Sequence, residues 1–137
     1  MINLYVTTSC TSCRKARAWL EENNLPYTEK NIVANPLSIE ELKAILRLTE
    51  EGTEEIISYR SHAYIKLSKE VDINDLSLEE LLGLIHKNPE LIRRPILIDE
   101  KRIQVGYNAD EIRCFLPREV RNVGFREIQQ QLYLGAQ

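Results

Sequence analysis

Apolar residues open the chain as a short β-prone run, Ile2 to Val6, and then give way to a Thr/Ser/Cys cluster. Beyond the cluster the period changes to that of a helix, with Ala16, Trp19 and Leu20 on one face. Pro26 breaks that helix, and Tyr27 to Val33 reads as a second strand. Strand, helix and strand within so short a stretch predict a βαβ unit with a right-handed crossover.

The middle of the chain has a different rhythm. Ser38-Ile-Glu-Glu41 is a capping box, followed at helical spacing by Leu42, Ile45 and Leu46. A second box, Ser77-Leu-Glu-Glu80, opens a helix whose Leu78, Leu81, Leu82 and Ile85 are expected to face inward. Glu54 to Lys69 reads as one or two shorter helices. No convincing strand occurs between Pro36 and Glu90, so residues 36–91 are taken as a helical insertion. Strands return as Pro95 to Ile98 and Arg102 to Gly106, joined through the turn-like Asp99-Glu100-Lys101. Asn108 is placed to cap a last helix carrying Ile112, Phe115 and Leu116, with Pro117 at its end.

The resulting order, βαβ, helical insertion, ββα, is an α/β thioredoxin-like layout over one domain, residues 1–117. Residues 118–137 form a polar, Gln-rich tail, expected to be flexible or weakly helical. Its Arg118, Arg121 and Arg126 are read as a solvated face.

A length of 137 residues with 43% apolar content can enclose a core without staples. A net charge of -3 leaves no global attraction for nucleic acid or an anionic membrane, so such contacts would need local basic patches. No run is long and apolar enough to span a bilayer, and the N-terminus lacks the pattern of a secretory signal. The expected location is the cytoplasm, with no membrane partner. Three cysteines do not make an extracellular disulfide framework.

Cys10 and Cys13 fall where the first strand meets the first helix. A thiolate there meets the positive end of the helix and its unpaired N–H groups, with Arg14, Lys15 and Arg17 close in sequence. Cys10 is expected to be the exposed, attacking thiol, and Cys13 the resolving one a turn later. Half of a zinc site and two ordinary thiols are the alternatives. The other half of a zinc site is missing, since Cys114, His62 and His86 are scattered singly, so no metal or other cofactor is expected. Cys114 reads as a small core residue, and the two histidines as surface or helix-end residues. Arg94-Pro95 opens the third strand, where thioredoxin-like folds place a cis-proline facing the active cysteine. Arg94 would then sit beside the sulfurs; the alternative is a solvated Arg-Arg pair.

These residues carry a resemblance. Cys10-Thr-Ser-Cys-Arg-Lys-Ala-Arg-Ala-Trp-Leu20, Arg93-Arg-Pro-Ile96, Asp99-Glu-Lys-Arg102 and Val105-Gly-Tyr-Asn108 closely resemble the Spx regulators of the ArsC/Spx family. Pro36 to Ile39, Gly52-Thr53, Ile56 to Ser58 and Arg60-Ser61 extend the match. The resemblance implies a redox-sensing global transcriptional regulator acting under thiol and oxidative stress, and not an enzyme. It implies binding to the C-terminal domain of the RNA polymerase α subunit and contact with promoter DNA only together with polymerase. The family tail often ends in a small apolar motif read by the ClpXP protease; this chain ends Leu134-Gly-Ala-Gln137, a departure that leaves turnover by ClpXP and an adaptor open. Cys10 and Cys13 would be the disulfide switch, Arg94 the arginine beside it, Gly52 part of the α-subunit contact, and Arg60 a basic contact. A plain helix C-cap is the other account of Gly52. The alternative function is an arsenate reductase-like or thiol–disulfide oxidoreductase enzyme. Against it, Gly106 stands near where a further oxyanion-binding arginine is expected.

Overall fold

The computed structural model describes residues 1–117; the tail, with its arginines and terminal residues, lies outside the described residues. The first compact unit is residues 1–107, and a second begins at Asn108. In the first, strand β1 (Ile2–Val6) leads into helix α1 (Thr11–Glu22) and strand β2 (Tyr27–Asn31). Helices α2 (Ile39–Leu48), α3 (Thr53–Ile56), α4 (His62–Ser68) and α5 (Leu78–Lys87) follow. Strands β3 (Ile96–Ile98) and β4 (Ile103–Val105) complete the unit.

The sheet order is β2-β1-β3-β4. β1 pairs parallel with β2, as a crossover helix requires, and antiparallel with β3; β3 and β4 form the hairpin. This is the thioredoxin-like βαβ and ββ arrangement, with helices inserted between its halves.

Local side-chain bonds set the element ends. In both capping boxes the serine accepts from the third helical N–H and the glutamate reaches back to the cap N–H. β2 stops at Asn31, two residues short of the expected Val33. The Asn31 side chain accepts from the N–H groups of Val33 and Ala34, at 3.0 and 3.2 Å, and so turns the chain out of the ladder. Asp99 likewise closes the hairpin by accepting from the N–H groups of Lys101 and Arg102.

Two expectations are corrected and one alternative, the C-cap account of Gly52, is excluded. Leu78 is 52% exposed, because it occupies the first position of α5, while Leu81, Leu82 and Ile85 are buried one and two turns on. Gly52 is not a C-cap: α2 ends at Leu48, and Gly52 is the residue that starts α3. The last helix is a 3-10 segment, Glu111–Phe115, rather than an α-helix. Asn108 still accepts from the N–H groups of Asp110 and Glu111. Pro117 requires an extended residue before it, and Leu116 has ψ 144, which leaves too little chain for α-helical turns.

One hydrophobic cluster joins the sheet to the insertion. Tyr5, Ile96 and Ile98 meet Leu42, Ile45 and Ile56 from α2 and α3, and Leu82 and Ile85 from α5. Strand alternation puts Leu4 and its partner Leu97 on the other face, the one left for α1 and its buried Cys13, Ala16 and Leu20. Burying this face fixes the first turn of α1, and with it the cysteine pair, against the end of β1.

Candidate functional site

The loop leaving β1 turns sharply at Ser9, whose φ of 58 lies in the left-handed region. The next residue, Cys10, is the N-cap of α1 with extended backbone. A sulfur takes the place of the usual capping oxygen: Cys10 Sγ accepts the Cys13 backbone N–H at 3.2 Å. Cys10 is half-buried, whereas Cys13 is 1% exposed.

The two thiols thus differ in kind. Burial, first, and then its own hydrogen bond to the Cys10 sulfur push the Cys13 thiol up to about 12. The Thr7 backbone hydrogen bond and the Arg94 guanidinium pull the other way, without prevailing. Cys13 therefore holds its proton at neutral pH and offers it to Cys10, whose sulfur also receives a backbone N–H. A negative charge on Cys10 is met by both donors, the arrangement of an attacking sulfur with a resolving thiol in contact.

The Arg94–Pro95 bond is cis. Arg94 is half-buried, its charge acts on the Cys13 thiol, and it makes no hydrogen bond or ion pair with any described residue. Arg17 donates from Nε to Glu29 at 2.6 Å, and its charge also interacts with the Cys13 thiol. Arg14 donates to Thr11 Oγ1 at 3.1 Å and, like Lys15, is exposed. Of the cations expected around the sulfurs, Arg94 is the one the fold carries in from a distant part of the chain.

Gly52 and Arg60 belong to a different region. Gly52 has φ 76 and ψ -136, and a Cβ built on it meets nothing within 4 Å. Beside it, the Glu50 and Glu51 N–H groups donate to Glu55 Oε1. Arg60 is exposed and lines a cleft of about 300 Å³ with Glu54, Tyr59 and Arg93. Arg94 lines another cleft, of about 460 Å³, with Thr7, Thr8, Val33, Ser61, His62, Ala63 and Glu90. Gly106 has φ 81, and the side chain nearest to its place is that of Arg93. Among the described residues no group of three or more His, Cys, Asp and Glu side chains could hold a metal. His62 and His86 are both exposed; His86 Nδ1 bonds the Leu37 carbonyl at 2.7 Å. Cys114 is half-buried, in the second unit. Thr7 and Glu90 escaped the sequence reading, since nothing in their local sequence ties them to the cysteines.

A cysteine at the N-cap of α1, a buried partner one turn on and a cis-proline opening the antiparallel half define a thioredoxin-like protein of arsenate-reductase type. The ArsC family model matches residues 5–115. The global transcriptional regulator Spx of Listeria innocua is 61% identical over 132 residues, 96% of this chain and 99% of that one. The Bacillus subtilis regulator of the same name is 58% identical over 130 residues, 95% and 98% of the two chains. The chain belongs to the ArsC family and, within it, to the Spx global transcriptional regulators. A solved structure from Streptococcus mutans UA159, described as a possible arsenate reductase, superposes with a TM-score of 0.70 at 27% identity. It covers 80% of this chain and 92% of that one. The more similar relatives are named transcriptional regulators rather than enzymes, and the function of this chain is transcriptional regulation.

Proposed function

We propose that the chain is a redox-controlled regulator that binds the C-terminal domain of the RNA polymerase α subunit and switches through a Cys10–Cys13 disulfide. The observation that carries this is the asymmetric thiol pair. Cys10 is accessible and receives two donors, and Cys13 is buried, protonated and in hydrogen-bond contact with it. Oxidation needs no large movement of either residue.

The α-subunit contact is placed on the surface around Gly52. Open space over this glycine lets a partner backbone approach, and Glu50, Glu51 and Glu54 offer charge to a basic partner. Arg60 lies close in sequence, with Glu54 in its cleft, and supplies a cation at the edge of that surface. Promoter DNA is contacted only within the polymerase complex, in keeping with a net charge of -3.

Arg94 is proposed as the read-out. Its charge acts on the Cys13 thiol while the pair is reduced, and that thiol is gone when the disulfide forms. The test is capture of isolated α C-terminal domain by reduced and by diamide-oxidised protein, with transcription in vitro from a responsive promoter. Binding in at least one state, together with a redox difference in transcription, is expected. No binding in either state would overturn the reading.

A further inference from the structure

Helix α1 presents a stripe to solvent whose charges the fold leaves unmatched. Lys15, Ala18, Trp19 and Glu22 follow one another at helical spacing along one side of α1, and Tyr107 flanks them across a cleft of about 370 Å³. Lys15, Ala18 and Glu22 are exposed, and Trp19 and Tyr107 are half-buried. Other charges of α1 find partners within the chain, Arg17 on Glu29 and Glu21 on Tyr27. The side chains of Lys15, Trp19, Glu22 and Tyr107 make no hydrogen bond or ion pair with any described residue. Lys15 and Glu22 stand about 10.5 Å apart along the helix axis, too far to pair with each other.

The stripe is complementary to itself. Laid antiparallel on a second copy, about a two-fold axis passing between Ala18 and Trp19, it sets Lys15 against Glu22 of the second copy and Glu22 against its Lys15. Each Trp19 then faces the small Ala18 across the axis, where the missing bulk leaves room for the indole. A parallel copy would set Lys15 against Lys15 and Trp19 against Trp19. Tryptophan and tyrosine are favoured anchors of protein interfaces, and a two-fold contact closes on itself without growing into a filament.

We propose that two copies of this chain associate through this stripe of α1, antiparallel, as a weak two-fold dimer. A stripe of two helical turns is smaller than the roughly 800 Å² per partner of a stable complex, so the dimer should have a Kd of about 10 µM to 1 mM. The ion pairs, exposed at the rim, set the register more than the affinity. Helix α1 covers one face of the sheet and the insertion helices the other. The contact therefore leaves the surface around Gly52 open on each copy, so that the pair offers it twice.

The test is sedimentation velocity on the reduced full chain over a concentration series reaching about 1 mM, with reductant present so that no intermolecular disulfide contributes. The natural chain should pass from monomer to dimer. Trp19 is the sole tryptophan, so its emission should move to the blue in step with association. Lys15→Glu and Glu22→Lys each set like charges against one another at both ends of the contact, and each alone should weaken the dimer about tenfold. Mixed in equal amounts, the two variants regain both opposite pairs and should associate within about threefold of the natural chain. Ala18→Arg, at an exposed helical position, should weaken the dimer by at least about tenfold. A chain that stays monomeric at about 1 mM overturns the proposal and gives the stripe to a different partner. A dimer that leaves the Trp19 emission unmoved, or that none of the three variants changes, uses another surface and overturns it too. Weakening by both charge variants without recovery in their mixture refutes the antiparallel register, and the proposal with it.

Discussion

Replacing Gly52 separates two demands made on one residue. Its φ of 76 and ψ of -136 lie where an L side chain is strained whatever the space around it. Alanine should cost about 1–3 kcal/mol of strain, offset by roughly 0.4–1 kcal/mol from a less flexible unfolded chain. The net is about 1–2 kcal/mol, a fall in melting temperature of roughly 3–10 °C for a chain of this size. Arginine should cost nearly the same, because the position of its Cβ meets nothing within 4 Å. Neither loss exhausts an ordinary stability of about 5–15 kcal/mol, so both variants stay folded. Binding should separate them. A large side chain pushed into a fitted interface costs about 1–3 kcal/mol, or roughly fivefold to 150-fold in affinity, whereas alanine should bind within about threefold of the natural chain. Thermal melts followed by circular dichroism, with titration calorimetry against the α C-terminal domain, measure both quantities. Undiminished binding by Gly52→Arg would refute the placement of the interface. Equal loss in Gly52→Ala and Gly52→Arg would show that the partner reads the glycine backbone rather than the space above it.

Diamide followed by alkylation and peptide mapping should give a Cys10–Cys13 link with Cys114 still reduced. In the reduced protein at about pH 8, iodoacetamide should label Cys10 and leave Cys13 untouched until urea is added, because Cys13 is 1% exposed and keeps its proton up to about 12. Arg94→Ala should leave α-subunit binding intact and blunt the difference in transcription between oxidised and reduced protein; a full redox response would remove Arg94 as transmitter. Glu41 is held below the usual carboxylate range: burial works against this, but the Lys30 ammonium at 2.8 Å and the Ser38 hydrogen bonds outweigh it. The stability this gives is present above the unfolded carboxylate pKa and is lost as pH falls through the lower folded one. Lys30→Met should therefore lose up to about 1 kcal/mol at about pH 7 in urea melts, a value limited by solvent at a partly exposed pair, and nothing at about pH 2. Arsenate reduction with glutathione and glutaredoxin should stay far below about 1 per second, since Gly106 offers no charge and Arg60 lines a different cleft from Arg94.

Local chemistry was legible from the chain itself. Ser38 and Glu41, like Ser77 and Glu80, bond within four residues, so each capping box forms wherever the chain puts it. The same holds for Cys10 and Cys13, since one turn of helix places the two thiols together, and the run from Cys10 to Leu20 carried the family resemblance. Element ends were less legible where side chains compete with the backbone. The Asn31 bonds that cut β2 short cost no more than the ladder they replace, and sequence does not say which wins. Tertiary structure alone decided what stands around the thiols. Arg94 comes from beyond the insertion, Glu90 from its last residues and Thr7 from the first loop; the antiparallel pairing of β3 with β1 brings Arg94 to the cleft the three share. That pairing depends on burying Tyr5, Ile96 and Ile98 against helices far away in sequence. Long-range burial has no local signature, so it decided that the Arg94 charge reaches the Cys13 thiol, that Arg17 pairs with Glu29, and that Gly52 opens a helix instead of closing one.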